Sequence, residues 1–280
     1  MKKIISISFV ILLFLVAGTN FYFKNNKKIE TQINTKTNPI NTIPSSTDPI
    51  KLVNQPPVRV PILVYHSVRP YYKDEPNSKK IYTVEIDNFV KQLQYIKSQG
   101  YITINFDDLV NYFKGKQLPT KPIIINFDDG LENQYTNAFP LLKKEGMTAT
   151  FFIYSNAIGH KNFLTWEQVK ELSDANMTIG GHSKSHPYLW KITDPSKLKE
   201  EIADNKKIIE DRIGKTLTTF AYPFGLYKSN TIAAVKAAGY ITARTGYERA
   251  THTKKELYTL HSIQVSNDLK MFVGVLKNLK

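Results

Sequence analysis

The run Pro122-Ile123-Ile124-Ile125-Asn126-Phe127 limits the possible folds more than any other part of this chain. It is short and apolar, so it reads as a strand covered on both faces, the kind found in parallel sheets between layers of helix. The segments around it alternate between strand and helix patterns. Phe89, Leu93 and Ile96 recur at helical spacing ahead of Gly100, and Ile102-Thr103-Ile104 follows as a strand. Beyond the central run, residues 138–144 are helical up to Gly146, 148–153 form a strand, 166–175 a helix and 177–180 a strand. A long charged helix over 196–212, a strand over 217–222, a helix over 230–238, a strand over 263–265 and a helix over 269–279 complete the series. Repeated units of this kind predict an α/β fold of the β/α-barrel type, in which the C-terminal edge of the strands carries the chemistry.

Two carboxylates, Asp128 and Asp129, stand where the central strand gives way to its loop, and Gly130 then permits a turn that other residues would resist. Gly180-Gly181 is expected to do the same ahead of His182, which is followed four residues later by His186. One carboxylate and two imidazoles suit Zn²⁺ or a similar divalent ion and leave a coordination position for water, while the other aspartate remains available as a base. Each part also has an ordinary explanation. Phe106-Asp107-Asp108-Leu109 repeats most of the motif without the glycine, and there the aspartates simply precede a short amphipathic helix that they can cap. It is the conjunction of Asp-Asp-Gly with the histidine pair that points to a metal site.

The motifs Phe127-Asp128-Asp129-Gly130, His182-Ser183-Lys184-Ser185-His186-Pro187 and Ala221-Tyr222-Pro223-Phe224-Gly225 occur in order and approximate spacing as in the NodB-homology polysaccharide deacetylases, carbohydrate esterase family four. The chain resembles that family over about residues 58 to 280. Val60 to His66, Ala149 to Phe152 and Leu164-Thr165-Trp166 are similar to a branch that carries a Tyr-His strand ahead of the Asp-Asp motif. The resemblance implies a distorted, incomplete (β/α) barrel and metal-dependent removal of acetyl groups from N-acetylated sugars in a polymer such as peptidoglycan, poly-N-acetylglucosamine or a chitin-like chain. It implies Asp128 as catalytic base and Asp129, His182 and His186 as ligands of a divalent metal, most simply Zn²⁺. It also implies an oxyanion donor at the backbone N–H of Phe224. Tyr222, Pro223, Phe224, His66 and Tyr247 are the candidate substrate contacts, with Trp190 a further aromatic that could stack on a sugar.

Two departures from the family pattern affect the expected roles. Ala221 stands where many members carry an arginine that orients the catalytic aspartate, so another group must do this. A catalytically weak glycan-binding protein on the same fold is the alternative that this departure suggests. The proton donor for the leaving amine is expected at His261, after Leu260, with His66 as its rival at the end of the first strand. His160 and His252 lie in polar stretches and read as surface residues.

Lys2-Lys3 followed by an apolar stretch over 4–23 reads as a targeting segment, so residues 1–24 are expected to be a signal peptide or membrane anchor. Residues 25–57, rich in Asn, Thr, Pro, Ser and Lys, read as a flexible linker, and 58–280 as the catalytic domain. This organisation predicts an extracytoplasmic enzyme, secreted or held on the outer face of the membrane, and a monomer. Residues 1–57 hold seven lysines against two acids, +5 of the formal +14, which leaves +9 on the catalytic part. Such a surface favours anionic wall polymers or lipid headgroups, whereas the targeting segment argues against nucleic acid. The absence of cysteine excludes disulfides and attachment through a lipidated N-terminal cysteine.

Overall fold

The computed structural model describes residues 52–278 except Tyr247. The segment expected to serve targeting and nearly all of the expected linker therefore lie outside the described residues. Eight strands form one sheet: β1 (Ile62–Tyr65), β2 (Ile102–Thr103), β3 (Pro122–Phe127), β4 (Thr150–Ile153), β5 (Thr178–Gly181), β6 (Thr219–Ala221), β7 (Thr242–Arg244) and β8 (Ile263–Gln264). Their order is β7-β6-β5-β4-β3-β1-β8, with β2 beside the first half of β3, and every pairing is parallel. The sheet curls until Arg244 bridges Leu260 just ahead of β8, so the two edges approach and the barrel is nearly closed by a stretch of irregular chain. All six residues of β3 are buried, as expected of a strand with packed atoms on both faces.

Helices α1 (Ile86–Ser98), α2 (Phe106–Phe113), α3 (Phe139–Glu145), α4 (Trp166–Asp174), α5 (Pro195–Lys199), α6 (Asn205–Ile213), α7 (Ser229–Ala237) and α8 (Leu269–Asn278) follow the strands. One apolar cluster joins Leu63, Ile123, Ile125, Phe151 and Phe220 to the outer helices. A second fills the interior with the residues of opposite parity, Ile62, Ile124, Phe152 and Ala221, together with Phe106, Leu109 and Phe113 of α2. Period-two alternation thus divides each strand between two cores. Asp107 and Asp108 lie in the first turn of α2, and Asn105 with Asp108 forms a reciprocal capping box.

Several expectations need correction. Strand β7 falls in a stretch where the sequence signals no strand, because Thr-Ala-Arg has no apolar run and ends on a charge. The expected single helix over 196–212 is broken between α5 and α6 by a π-helical turn, Glu200–Asp204. Gly180 and Gly181 are strand residues and make no turn; a Cβ at the first would strike the Phe152 ring and at the second the Tyr240 hydroxyl. His252 is fully buried, its Nε2 3.0 Å from the Val60 carbonyl, in a short antiparallel pairing of Thr251–His252 with Val58–Arg59. The last residues assigned to the linker touch the barrel, since Val53 N–H donates to the Phe113 carbonyl at 2.8 Å and the Tyr112 hydroxyl to that of Pro56 at 3.2 Å. Among the described residues no helix is long and apolar enough to cross a membrane.

Candidate active site

The carboxylates leave β3 through two consecutive left-handed residues, Asp129 at φ 76° and Gly130 at φ 72°. A Cβ on Gly130 would press to 3.0 Å from the Ile153 side chain, so glycine is required for packing as well as for backbone. The turn leaves Asp128 buried inside the barrel mouth and Asp129 at its rim. Beyond β5 the chain turns again through Ser183 (φ 66°) and His186 (φ 58°). Here the Ser183 hydroxyl accepts from His186 N–H at 2.9 Å, and the Glu201 carboxylate accepts from Lys184 N–H, Ser185 N–H and the Ser185 hydroxyl at 3.0, 2.9 and 2.6 Å. Glu201 sits on the π-helical turn. Left-handed backbone at non-glycine residues costs of order 1–3 kcal/mol each and persists only where surroundings over-determine it. Asp129, Ser183, His186 and Phe224 all share it here.

The result is a compact donor set. Asp129 Oδ1 lies 3.6 Å from His182 Nε2 and 3.4 Å from His186 Nε2, and one ligand atom from each residue falls within 4.8 Å of the others. Donors bound to a tetrahedral ion at 2.0–2.1 Å stand roughly 3.4 Å apart, which the two separations between Asp129 and the histidines match closely. His182 Nδ1 is 2.7 Å from the Ala221 carbonyl, which places the ring proton there and leaves the Nε2 lone pair facing Asp129. Burial pushes the pKa of His182 down to about 3 and lowers that of His186. Burial, with the neighbouring Asp128 charge adding to it, pushes Asp129 up to about 6 despite the opposing pull of His66 and Arg244. Two neutral imidazoles offer their lone pairs without bringing charge, and a divalent cation among them would favour the ionised form of Asp129 that burial resists.

Asp128 has the opposite balance. Burial disfavours its charge, but the Arg244 guanidinium, His182 and His66 outweigh burial and hold it down at about 2. Arg244 Nη2 donates to Asp128 Oδ1, while its Nε donates to Asn126 Oδ1 at 3.0 Å; Asn126 in turn donates to the Leu63 carbonyl at 2.7 Å. Arg244 is the functional residue that the sequence reading missed. Its one signal is an arginine ending a Thr-Ala-Arg stretch after a helix and Gly239, the position of a strand end in a β/α unit. On the other side, His66 Nε2 lies 3.8 Å from Asp128 Oδ2, and Gln134 Nε2 donates to the backbone carbonyls of both His66 (2.7 Å) and Asp128.

These groups face a cleft of about 850 Å³ at the C-terminal ends of the strands, lined also by Tyr82, Phe163 and Phe224. Phe224, about half exposed at φ 60°, stacks on Tyr188 with centroids 4.2 Å apart and turns an edge to His186. Other expected contacts are elsewhere. Ser262 and Gln264 line the cleft, so alternation turns His261 away from it, and its Nε2 lies 3.7 Å from Glu256. Tyr222 and Pro223 are buried, with the Tyr222 hydroxyl donating to the Tyr258 carbonyl at 3.1 Å. Trp190 lies outside the cleft lining, with Lys191 and Lys228 over its ring; Tyr247 lies outside the described residues.

The sequence profile of the polysaccharide deacetylase family matches residues 115–243. The Bacillus subtilis (strain 168) protein YxkH, named as a polysaccharide deacetylase, is 33% identical over 211 residues, 75% of this chain and 72% of its own. A poly-beta-1,6-N-acetyl-D-glucosamine N-deacetylase of Staphylococcus aureus (strain MSSA476) is 28% identical over 227 residues, 74% of this chain and 78% of its own. Among solved structures, the Streptococcus pyogenes deacetylase PplD in complex with acetate superimposes with a TM-score of 0.73 at 25% identity, covering 80% of this chain and all of that one.

Proposed function

Because the chain belongs to the NodB-homology polysaccharide deacetylases, we propose that it hydrolyses N-acetyl groups from N-acetylglucosamine residues of an extracellular polymer. The observation that carries this reading is one cleft holding a three-donor set for a divalent cation, an ionised buried carboxylate and a histidine within 3.8 Å of that carboxylate. Asp129, His182 and His186 hold the cation, and one carboxylate with two imidazoles favours Zn²⁺. With a divalent ion held there, these three residues would present Lewis acidity that could polarise the acetamide carbonyl and lower the pKa of a neighbouring water. Asp128, kept ionised by Arg244, takes the proton from the attacking water. The carbonyl carbon gains that oxygen, the C–N bond breaks, acetate leaves, and the sugar nitrogen departs as an amine once it has received a proton. His66 replaces His261 as the donor of that proton, since it faces Asp128 across the cleft and His261 does not. Arg244 also removes the basis for a catalytically weak binding protein, because the guanidinium missing at position 221 arrives from β7.

Poly-N-acetylglucosamine is the first substrate to test, followed by peptidoglycan fragments and chitin oligomers. The apolar start of the chain supports export or anchoring outside the cytoplasmic membrane. The decisive experiment measures acetate release from these polymers with and without chelator, for the wild type and Asp128→Asn. Release that chelator abolishes and zinc restores is expected, with Asp128→Asn retaining stoichiometric metal and losing at least 10²-fold in kcat/KM. Undiminished release in either the chelated enzyme or Asp128→Asn would refute the reading.

A further inference from the structure

A second cavity, also of about 850 Å³, opens beside the first, and the two share Ile81, Glu248 and Gln264 as a common wall. It lies past the edge strand β8, between the start of α8 and the segment that runs from Arg69 to Thr83. That segment borders both cavities: Tyr71, Asn77 and Lys80 face the second, Arg69, Tyr72 and Tyr82 the first. It is fixed by the fork-to-fork pair of Arg69 with buried Glu75, at 2.9 and 2.6 Å.

We propose that this second cavity is a further sugar subsite, which receives residues of the same polysaccharide chain that flank the one in the metal cleft. The inference rests on the reading of the cleft as a deacetylase site. The lining fits a pyranose, which presents an apolar face and a rim of hydroxyls. Tyr71 supplies an aromatic surface, Met271 (60% exposed) and Ile81 (58% exposed) supply apolar contacts, and Asn77 and Gln264 supply side-chain amides. The Tyr71 ring has Lys80 Nζ 5.5 Å from its centroid. Asn267, also on the cavity wall, accepts from Glu85 N–H (2.8 Å) and the Asn88 amide (3.0 Å), which ties that part of the lining to the start of α1. Ile81 and Gln264 on the shared wall let one chain pass from cleft to cavity without leaving the protein surface.

The test is the affinity of the zinc-loaded enzyme for N-acetylglucosamine oligomers from dimer to hexamer, read by calorimetry, with acetate release followed in parallel. The hexamer is expected to bind at least tenfold more tightly than the dimer. In Tyr71→Ala/Met271→Ala that ratio should fall to about twofold; Lys270→Glu, on the exposed side of the cavity, gives a second reading if the pair fails to fold. Equal affinity for dimer and hexamer in the wild type, or a ratio unchanged in the folded variants, would overturn the subsite. Length-dependent binding without acetate release would leave the subsite standing and overturn the deacetylase reading instead. No binding of any oligomer would overturn both.

Discussion

At the scale of the residue, Asp128 and Asp129 are neighbours with opposite electrostatics, and Arg244 is the cause. Both are desolvated and both feel Arg244, but only Asp128 accepts a hydrogen bond from its guanidinium, and its pKa lies at about 2 while that of Asp129 lies at about 6. In the proposed reaction such separation would divide the work between a base that stays ionised at working pH and a ligand that ionises fully when a cation arrives. Arg244→Met should therefore lower kcat/KM by on the order of 10²-fold or more. It should also move the acidic limb of the pH–rate profile upward, because the carboxylate then keeps the burial penalty and loses its main counter-charge. Metal content should stay stoichiometric. An unchanged acidic limb would remove Arg244 from the role of orienting and ionising Asp128.

At the scale of the element, the two Asp-Asp doublets illustrate how context assigns work to identical residues. Asp107-Asp108 opens α2, and its Asp108 closes a capping box with Asn105. Asn105→Ala should cost about 1 kcal/mol in unfolding free energy and leave acetate release unaltered. Asp128-Asp129 instead follows β3 and is turned by left-handed backbone, which Gly130 completes. That difference was readable in advance, because the glycine and the apolar run ahead of it are local signals. The π-helical turn over Glu200–Asp204 was not, since a helix that widens by one residue keeps nearly the same pattern of apolar and charged positions. Its Glu201 ties down the loop between the two histidines through three hydrogen bonds. Glu201→Ala is expected to weaken zinc affinity 10- to 100-fold, measured by competition with a chelating dye. Wild-type affinity in that variant would mean that the loop holds its shape without Glu201.

At the scale of the whole molecule, the cation is coupled to stability. Asp129 has a folded pKa of about 6 against an ordinary carboxylate value of about 3.9. A group raised on folding binds more protons in the folded than in the unfolded state, so the Asp129 contribution to the stability of the chelated protein falls as pH rises from about 4 to about 6. Asp128 runs the other way, contributing stability above about pH 4 that is lost as pH falls toward 2. His182, lowered to about 3, opposes Asp129 in the same window, because below about pH 6.5 the unfolded imidazole gains a proton that the folded one does not. The rise in thermal midpoint on adding zinc should accordingly be larger at pH 7 than at pH 5, because at pH 5 zinc must displace the proton that Asp129 holds. An equal rise at both values would contradict the raised Asp129.

The amino-acid sequence by itself determined the strand–helix alternation, the carboxylates at the end of β3 and the pairing of Asp-Asp-Gly with two histidines. All of these are local patterns, set by side-chain period and backbone preference over a few residues. Only the tertiary structure decided which distant groups complete the site. Arg244 reaches Asp128 from a strand 116 residues further along, on a three-residue segment too short and polar to register as strand. His66 and His261 both follow apolar residues near strand ends, and register alone separates them: parity carries Ser262 and Gln264 into the cleft and leaves His261 beside Glu256. Gly181 reads as a turn residue and proves to be a close-packing position, because the Tyr240 hydroxyl that fills the space above it comes from another unit of the barrel. Contacts of long sequence separation leave no periodic trace, and for that reason the chemistry was half legible in the chain and complete only in the closed sheet.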